Sequence, residues 1–332
     1  MFEARHDSDS RTDPRALDLS ILIVTWNSER WIDRCLRSIP AACEGLAYEV
    51  LVHDNASKDS TVAHLRDAQV IRSAFNAGFA AGTNRAFAQS RGRYVFLLNP
   101  DCELAPRALT TLFEFLETHP NAAAAAPLLI DNDGNDSQRE FQLRRLPSLA
   151  SMAAEVLLLD KLFPKNATTA RHRYRGLDLT EPRRIEQPAA AALLLRREVV
   201  DEIGPLDEQF SPAWFEDVDY CRRLAENKKE VWVVPAAQAR HAGGASLEHI
   251  HFFDFADVWY RNMWRYGRKW MRPAQYEALR WAIICGMLLR CTAALAGLTP
   301  RRLPRRDAFR AYANVLRKAF DRWSADSSPS SS

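Results

Sequence analysis

The chain has 332 residues, 47% of them hydrophobic, with 45 basic against 42 acidic side chains and a formal net charge of +3. That length buries a substantial core, and so small a net charge gives no electrostatic footprint for nucleic acid. The six cysteines form no Cys-x-x-Cys pair and the opening MFEARHDSDSRTDPRALD has no apolar stretch; no disulfide framework, zinc finger or secretory signal is legible, and the expected setting is the reducing, cytoplasmic side.

Residues 1–17 read as a disordered leader. Residues 19–25 (LSILIVT) are a continuous apolar, β-branched run, the pattern of a strand buried on both faces. Asn27-Ser28-Glu29 then opens a helix reading WIDRCLRSI. Residues 48–53 (YEVLVH) predict a second strand, Asp59-Ser60 the start of a second helix, and Val70-Ile71 a short third strand. After the turn at 76–84 (NAGFAAGTN) come a helix from about Gly82 to Ser90 and a fourth strand at 93–99, and Pro106 suits the first turn of the next helix. Residues 122–130 predict a strand ahead of a turn at Asp131–Gly134. The irregular, basic stretch 135–185, with an apolar segment at 149–163, is expected to cover part of the site. A strand at 189–195, a helix at 197–203 closed by Gly204-Pro205, a helix from near Asp217 and a strand at 231–235 complete the pattern. Such alternation argues for a mostly parallel α/β sheet with helices on both faces, over residues 18–250.

From about 254 the pattern is helical and rich in Trp and Arg, giving a basic, aromatic extension over 251–323 and a disordered tail at 324–332. Residues 281–298 (WAIICGMLLRCTAALAGL) are long enough to span a bilayer, but Arg290 sits at their centre, which is costly in lipid. A helix lying on an anionic inner leaflet is the preferred reading, and packing on the catalytic domain the competing one.

In a parallel α/β sheet, ligands bind beyond the carboxyl ends of the strands. Thr25-Trp26-Asn27, Asp54-Asn55 and Asn99-Pro100-Asp101 all fall at such ends. One Asp there can accept from a base or ribose, and another can ligate a divalent cation that neutralises a diphosphate. Gly78 and Gly82 would let backbone approach a ligand. Glu216-Asp217 follows Trp214-Phe215, and acids there equally suit the N-terminus of a helix. His241, after the apolar strand VWVVP, is a candidate ligand.

The pieces SILIVTWN (20–27), VHDNASKDST (52–61), NAGFAAGTNRA (76–86), FLLNPDCEL (96–104), FSPAWFEDVDYCRR (210–223) and HAGGAS (241–246) together resemble the family 2 glycosyltransferases, in particular their bacterial rhamnosyltransferase-like branch. The resemblance covers roughly residues 19–250. It implies the GT-A fold, an inverting mechanism, a nucleotide-diphosphate sugar donor bound with Mg or Mn, and a lipid-linked or oligosaccharide acceptor met at the inner face of the cell membrane. Rhamnose from dTDP-rhamnose is the expected donor, with UDP- and GDP-sugars as alternatives. Carried over by position, Thr25, Asp54, Asn76, Gly78, Asn84, Asn99 and Asp101 are expected on the donor. Asp101 and His241 are expected on the metal, Asp217 as general base, and Glu216 and Trp214 on the acceptor. Asn99 departs from the family's Asp-x-Asp pattern, and an uncharged amide there makes His241 a more useful further ligand. A nucleotidylyltransferase would carry a glycine-rich basic loop where this chain has TWNSERW, and a sugar-nucleotide-binding protein without turnover is the non-enzymatic alternative.

Overall fold

The computed structural model describes residues 17–131, 133–135, 138–243, 250–300 and 303–323. The expected leader (apart from residue 17) and tail, and Gly244–Ser246 of the HAGGAS segment, lie outside them. Within the described residues the strands are β1 Leu19–Thr25, β2 Tyr48–Asp54, β3 Gln69–Arg72, β4 Tyr94–Leu98, β5 Cys102–Leu104, β6 Ala122–Ile130, β7 Leu143–Arg144, β8 Arg183–Ile185, β9 Gln187–Pro188, β10 Ala192–Arg196 and β11 Glu230–His241. The main sheet runs β3-β2-β1-β4-β10-β6-β11-β5, with β8 on β11, while β7 and β9 form a separate ribbon.

Every residue of β1 and β4 is buried, as their unbroken apolar runs require. β1 pairs in parallel with β2 and β4, and the register sets Thr25 directly opposite Asp54. After β3 the chain crosses to β4 on the other side of β1, so the carboxyl ends of β1, β2 and β4 open onto one crevice. β10 departs from the parallel expectation, running antiparallel to both β4 and β6; AAALLLR specifies a buried strand but not its direction. β11 extends well past the expected 231–235, because its register shifts between Val234 and Gln238 and then resumes along β6 and β5 as far as His241.

The expected helix at Asp59 is only a 3-10 turn, Thr61–His64. Asp59 binds the Thr61 amide and hydroxyl, and its other oxygen takes the Glu29 amide, so these polar groups tie loop to loop. The helix after the glycine turn begins earlier than read, at Phe79. Pro106 precedes rather than enters its helix, Ala108–Thr118, because Arg107 takes a left-handed conformation at the junction.

Three C-terminal helices, Phe252–Trp270, Pro273–Leu295 and Arg305–Phe320, share a second apolar core that includes Met152, Phe210, Phe215, Tyr266, Met287 and Val315. Trp264 and Tyr266 are buried there, so much of the aromatic content is core. Helix Pro273–Leu295 is long and apolar enough to cross a membrane, yet one face is packed into this core. Arg290 lies against helix Leu149–Val156, donating to the carbonyls of Glu155 (3.3 Å) and Val156. Such a guanidinium satisfies carbonyls left open at a helix end. Gly286 lies so close to Val156 that a Cβ would overlap its carbonyl oxygen. The opposite face leaves Trp281, Leu288 and Leu289 about half exposed, and Leu162, Phe163, Leu295 and Leu298 are also exposed.

Candidate active site

Two cavities lie at the carboxyl edge of the sheet. The first, about 270 Å3, is lined by Thr25, Trp26, Asn55, Asn76, Pro100 and Trp214 among others. The second, about 390 Å3, is lined by Asn99, Arg144, Gln187, Glu216, Asp217 and Trp259 among others. Phe79, Ala213, Trp214 and Ile250 line both.

The first cavity rests on the β1–β2 register. The Thr25 hydroxyl donates to Asp54 Oδ1 (3.1 Å), and Asp54 Oδ2 accepts the Ser57 amide (3.1 Å), so the buried Asp54 stands behind Thr25 rather than on the lining. Asn55 holds the glycine turn: its Nδ2 donates to the Gly78 carbonyl (3.1 Å) and its Oδ1 accepts the Ala77 amide (3.3 Å). Asn76 Oδ1 accepts the Gly78 amide (2.9 Å). Gly78, at φ 93° and ψ 170°, occupies a region open essentially to glycine alone and caps helix Phe79–Phe87. Asn84 is not brought to this crevice. It lies on that helix with its amide spent on Leu206 and Glu208, at 2.8 to 3.0 Å.

Beyond β4, Asp101 and His241 meet because β5 and the end of β11 pair, with His241 opposite Cys102. His241 Nε2 lies 3.5 Å from Asp101 Oδ2, both side chains are nearly sealed, and Phe141 stacks on the imidazole. Cys102 Sγ is within reach of both, but it is buried and bonded to the Ala191 carbonyl (3.4 Å). Burial and the Asp101 charge push its thiol well above the ordinary range. The Asp101 carboxylate and the His241 imidazole would hold a divalent cation, which would supply positive charge against a diphosphate. Asn99 faces the second cavity, and its backbone amide is pinned to the Ala191 carbonyl at 2.8 Å.

Trp214 and Phe215 adopt consecutive left-handed conformations, φ 70° and 75°. Such residues cost of order 1–3 kcal/mol each and need outside support. Fully buried Asn262 supplies it, donating from Nδ2 to the carbonyls of Ala213 (2.9 Å) and Trp214 (3.1 Å). The turn starts helix Glu216–Glu226 with three acids in its first turn. Asp219 is structural, held by Arg223, Lys269 and Trp270 at 2.8 to 3.1 Å. Asp217 faces the cavity, accepting from the Ala190 amide (3.3 Å), Gln187 Nε2 (3.4 Å) and the Val218 amide (2.8 Å). Burial raises its pKa, against the pull of those amides and of the Arg144 charge. Glu216 is pushed well above the carboxylate range by burial and by Asp217, and among the described residues its Oε2 has no hydrogen-bond partner. Two adjacent buried carboxyls, both raised, resist ionising together and titrate as a pair.

Arg144, Gln187 and Asn262 escaped sequence reasoning; Asn55 is placed there at the end of β2 but given no role of its own.

The fold is shared with solved glycosyltransferase structures. The chain superposes with a TM-score of 0.55 on a mannosyltransferase from Pyrobaculum calidifontis in complex with GDP-Man and Mn2+, at 14% identity, covering 94% of this chain and 89% of that one. It superposes equally, at 15% identity, on GalNAc-T7 with UDP, GalNAc and Mn2+, covering 95% of this chain and 58% of that one. The fold is GT-A, and the protein is a glycosyltransferase. Residues 20–204 match Glycosyl transferase family 2, and the chain belongs to that family. It is 28% identical over 241 residues to the N-acetylglucosaminyl-diphospho-decaprenol L-rhamnosyltransferase of Mycobacterium tuberculosis, covering 67% of this chain and 75% of the relative. It is also 31% identical over 145 residues to the succinoglycan biosynthesis protein ExoO of Rhizobium meliloti, covering 40% of each.

Proposed function

We propose that the protein is an inverting glycosyltransferase that moves rhamnose from dTDP-rhamnose to a lipid-linked acceptor at the cytoplasmic face of the membrane. The observation that carries this reading is the meeting of two cavities at Phe79, Ala213 and Trp214, one floored by the β1–β2 strand ends and the other ending on Asp217. The nucleoside enters the first cavity, against Thr25, Asn55 and Asn76, with Asp54 fixing Thr25 from behind. Gly78 lets the chain approach it closely. Asp101 and His241 hold a divalent cation, which when bound offsets the charge of the leaving diphosphate.

In the second cavity the acceptor sugar lies against Trp214, and Glu216 hydrogen-bonds one of its hydroxyls. The Asp217 carboxylate takes the proton of the attacking hydroxyl as its oxygen bonds to the anomeric carbon and the carbon–oxygen bond to the diphosphate breaks. The half-exposed Trp281, Leu288 and Leu289, with the arginines that follow at 301, 302, 305 and 306, suit an anionic bilayer surface.

The test is nucleoside-diphosphate release from dTDP-, UDP- and GDP-sugars with a lipid-linked acceptor extract, with Mn, Mg or chelator, for wild type beside Asp217→Asn and Asp101→Ala. Cation-dependent release from dTDP-rhamnose, about 100-fold or more slower in Asp217→Asn, is expected. Release from another donor corrects the sugar, and equal rates in wild type and Asp217→Asn overturn the assignment of the base.

A further inference from the structure

The second cavity contains a cation that the transfer chemistry above does not use. Arg144 lines it together with Glu155, Gln187 and Asp217. It lies on β7, directly opposite Gln187 of β9, so the two side chains leave the same face of the ribbon. Gln187 in turn reaches Asp217 at 3.4 Å, which sets Arg144 beside the reacting end of the pocket. Among the described residues the guanidinium has no hydrogen-bonded partner. Its Nε is sealed from solvent without an acceptor, the Phe141 ring lies 5.6 Å away, and the charges of Glu155 and Asp217 act on it without a hydrogen bond. A buried guanidinium with no bonded acceptor is costly, and structures satisfy such groups with a planar oxyanion, carboxylate or phosphate. His172, also on the lining, has its pKa lowered to about 4 by burial and by Arg144 and Arg173, so it adds no second positive charge there near neutral pH.

The rest of the wall is apolar. Met152, Phe255, Trp259 and Met263 line the same cavity. Helix Leu149–Val156, which supplies Met152, is the element clasped by Arg290 and followed by the exposed Leu162 and Phe163. The cavity thus sets a cation with no bonded acceptor beside an apolar wall. The ligand chemistry that fits is an amphiphile with an anionic phosphate next to its apolar chain.

We infer that Arg144 holds the diphosphate of a prenyl-diphosphate-linked sugar acceptor, seating its first prenyl units on the Met152, Phe255 and Trp259 wall and so bringing the sugar hydroxyl to Asp217. This rests on the acceptor reading given above. A diphosphate also arrives with the donor, but Thr25, Asn55 and Asn76 line the other cavity and Arg144 does not.

The test is a calorimetric titration with geranyl diphosphate and, separately, geraniol, on full-length protein saturated with nucleoside diphosphate and Mn2+ so that the donor side is filled. Wild type is expected to bind geranyl diphosphate at least about tenfold more tightly than geraniol. Arg144→Met is expected to weaken geranyl diphosphate about 10- to 100-fold, as loss of charge-assisted bonds does, with Arg144→Lys intermediate. Nucleoside-diphosphate affinity, measured on the same variants, is expected to stay within about threefold and doubles as the check that they fold. Equal wild-type binding of geranyl diphosphate and geraniol overturns the inference. So does a parallel loss of nucleoside-diphosphate affinity in a folded Arg144→Met, which would assign the guanidinium to the donor. Because these are binding readouts, absence of sugar transfer would count against the catalytic reading and leave this result standing.

Discussion

Replacing Gly78 by alanine separates backbone strain from packing at the turn that shapes the donor side. Gly78 sits at φ 93° and ψ 170°, where a Cβ costs about 1–3 kcal/mol in backbone strain alone. The new Cβ would also lie 2.7 Å from the Pro212 carbonyl oxygen, 3.0 Å from its Cα and 3.1 Å from Ser211 Oγ. That carbonyl cannot give way freely, because it accepts the Phe79 amide at 2.7 Å. Moving it forfeits a hydrogen bond of about 0.5–1.5 kcal/mol. Together these predict about 2–4 kcal/mol of lost stability. Gly45, at φ 81° with nothing within 4 Å of its added Cβ, is the internal control; Gly45→Ala carries strain alone, about 1–2 kcal/mol. Urea unfolding of both variants measures the difference, and the donor KM measures displacement of Asn55 and Asn76, which bond Gly78. If Gly78→Ala matches Gly45→Ala in stability and leaves the donor KM unchanged, the close approach to Pro212 does not shape the site.

The pH profile of kcat/KM tests the base. With Asp217 acting as carboxylate, as proposed, and burial raising its pKa, the acid limb is expected above the ordinary value of about 3.9; in Arg144→Met, without the charge that pulls that pKa down, the limb moves to still higher pH, and an unmoved limb would detach Arg144 from Asp217. Asn262→Ala removes both bonds to the left-handed turn and leaves two partly buried carbonyls without their donor, so a loss of about 1–3 kcal/mol in thermal or urea unfolding is expected, with kcat falling more than donor affinity; a variant of wild-type stability would show that the turn holds itself. Leu288→Glu with Leu289→Glu, on the exposed face, is expected to weaken co-sedimentation with anionic vesicles at least about tenfold at unchanged thermal midpoint; equal sedimentation would remove that face from the membrane contact.

What the sequence made legible was whatever depends on neighbours along the chain. β1 and β4 were readable as buried strands because nothing polar interrupts them, and the residues at their ends follow by geometry. The direction of β10 was not, since AAALLLR packs equally well either way. Nor was the fate of Asn84, whose position on helix Phe79–Phe87 turns it toward Leu206 and Glu208. Arg144 and Gln187 become neighbours only through a ribbon joining distant segments. Asn262 reaches the Trp214 turn across almost fifty residues. Arg290 looked like an interruption in an apolar helix, and its carbonyl partners on helix Leu149–Val156 lie far upstream.

The run Ala189-Ala190-Ala191 lines the second cavity with methyl groups, while its backbone does the holding: the Ala190 amide meets Asp217, the Ala191 carbonyl meets the Asn99 amide, and the Ala189 amide meets the Gln142 carbonyl. Depth and alignment are therefore set by different atoms. A larger side chain at Ala190 would shorten the chamber without removing the amide that holds the Asp217 carboxylate, so the room in the chamber and the aim of that carboxylate can change independently.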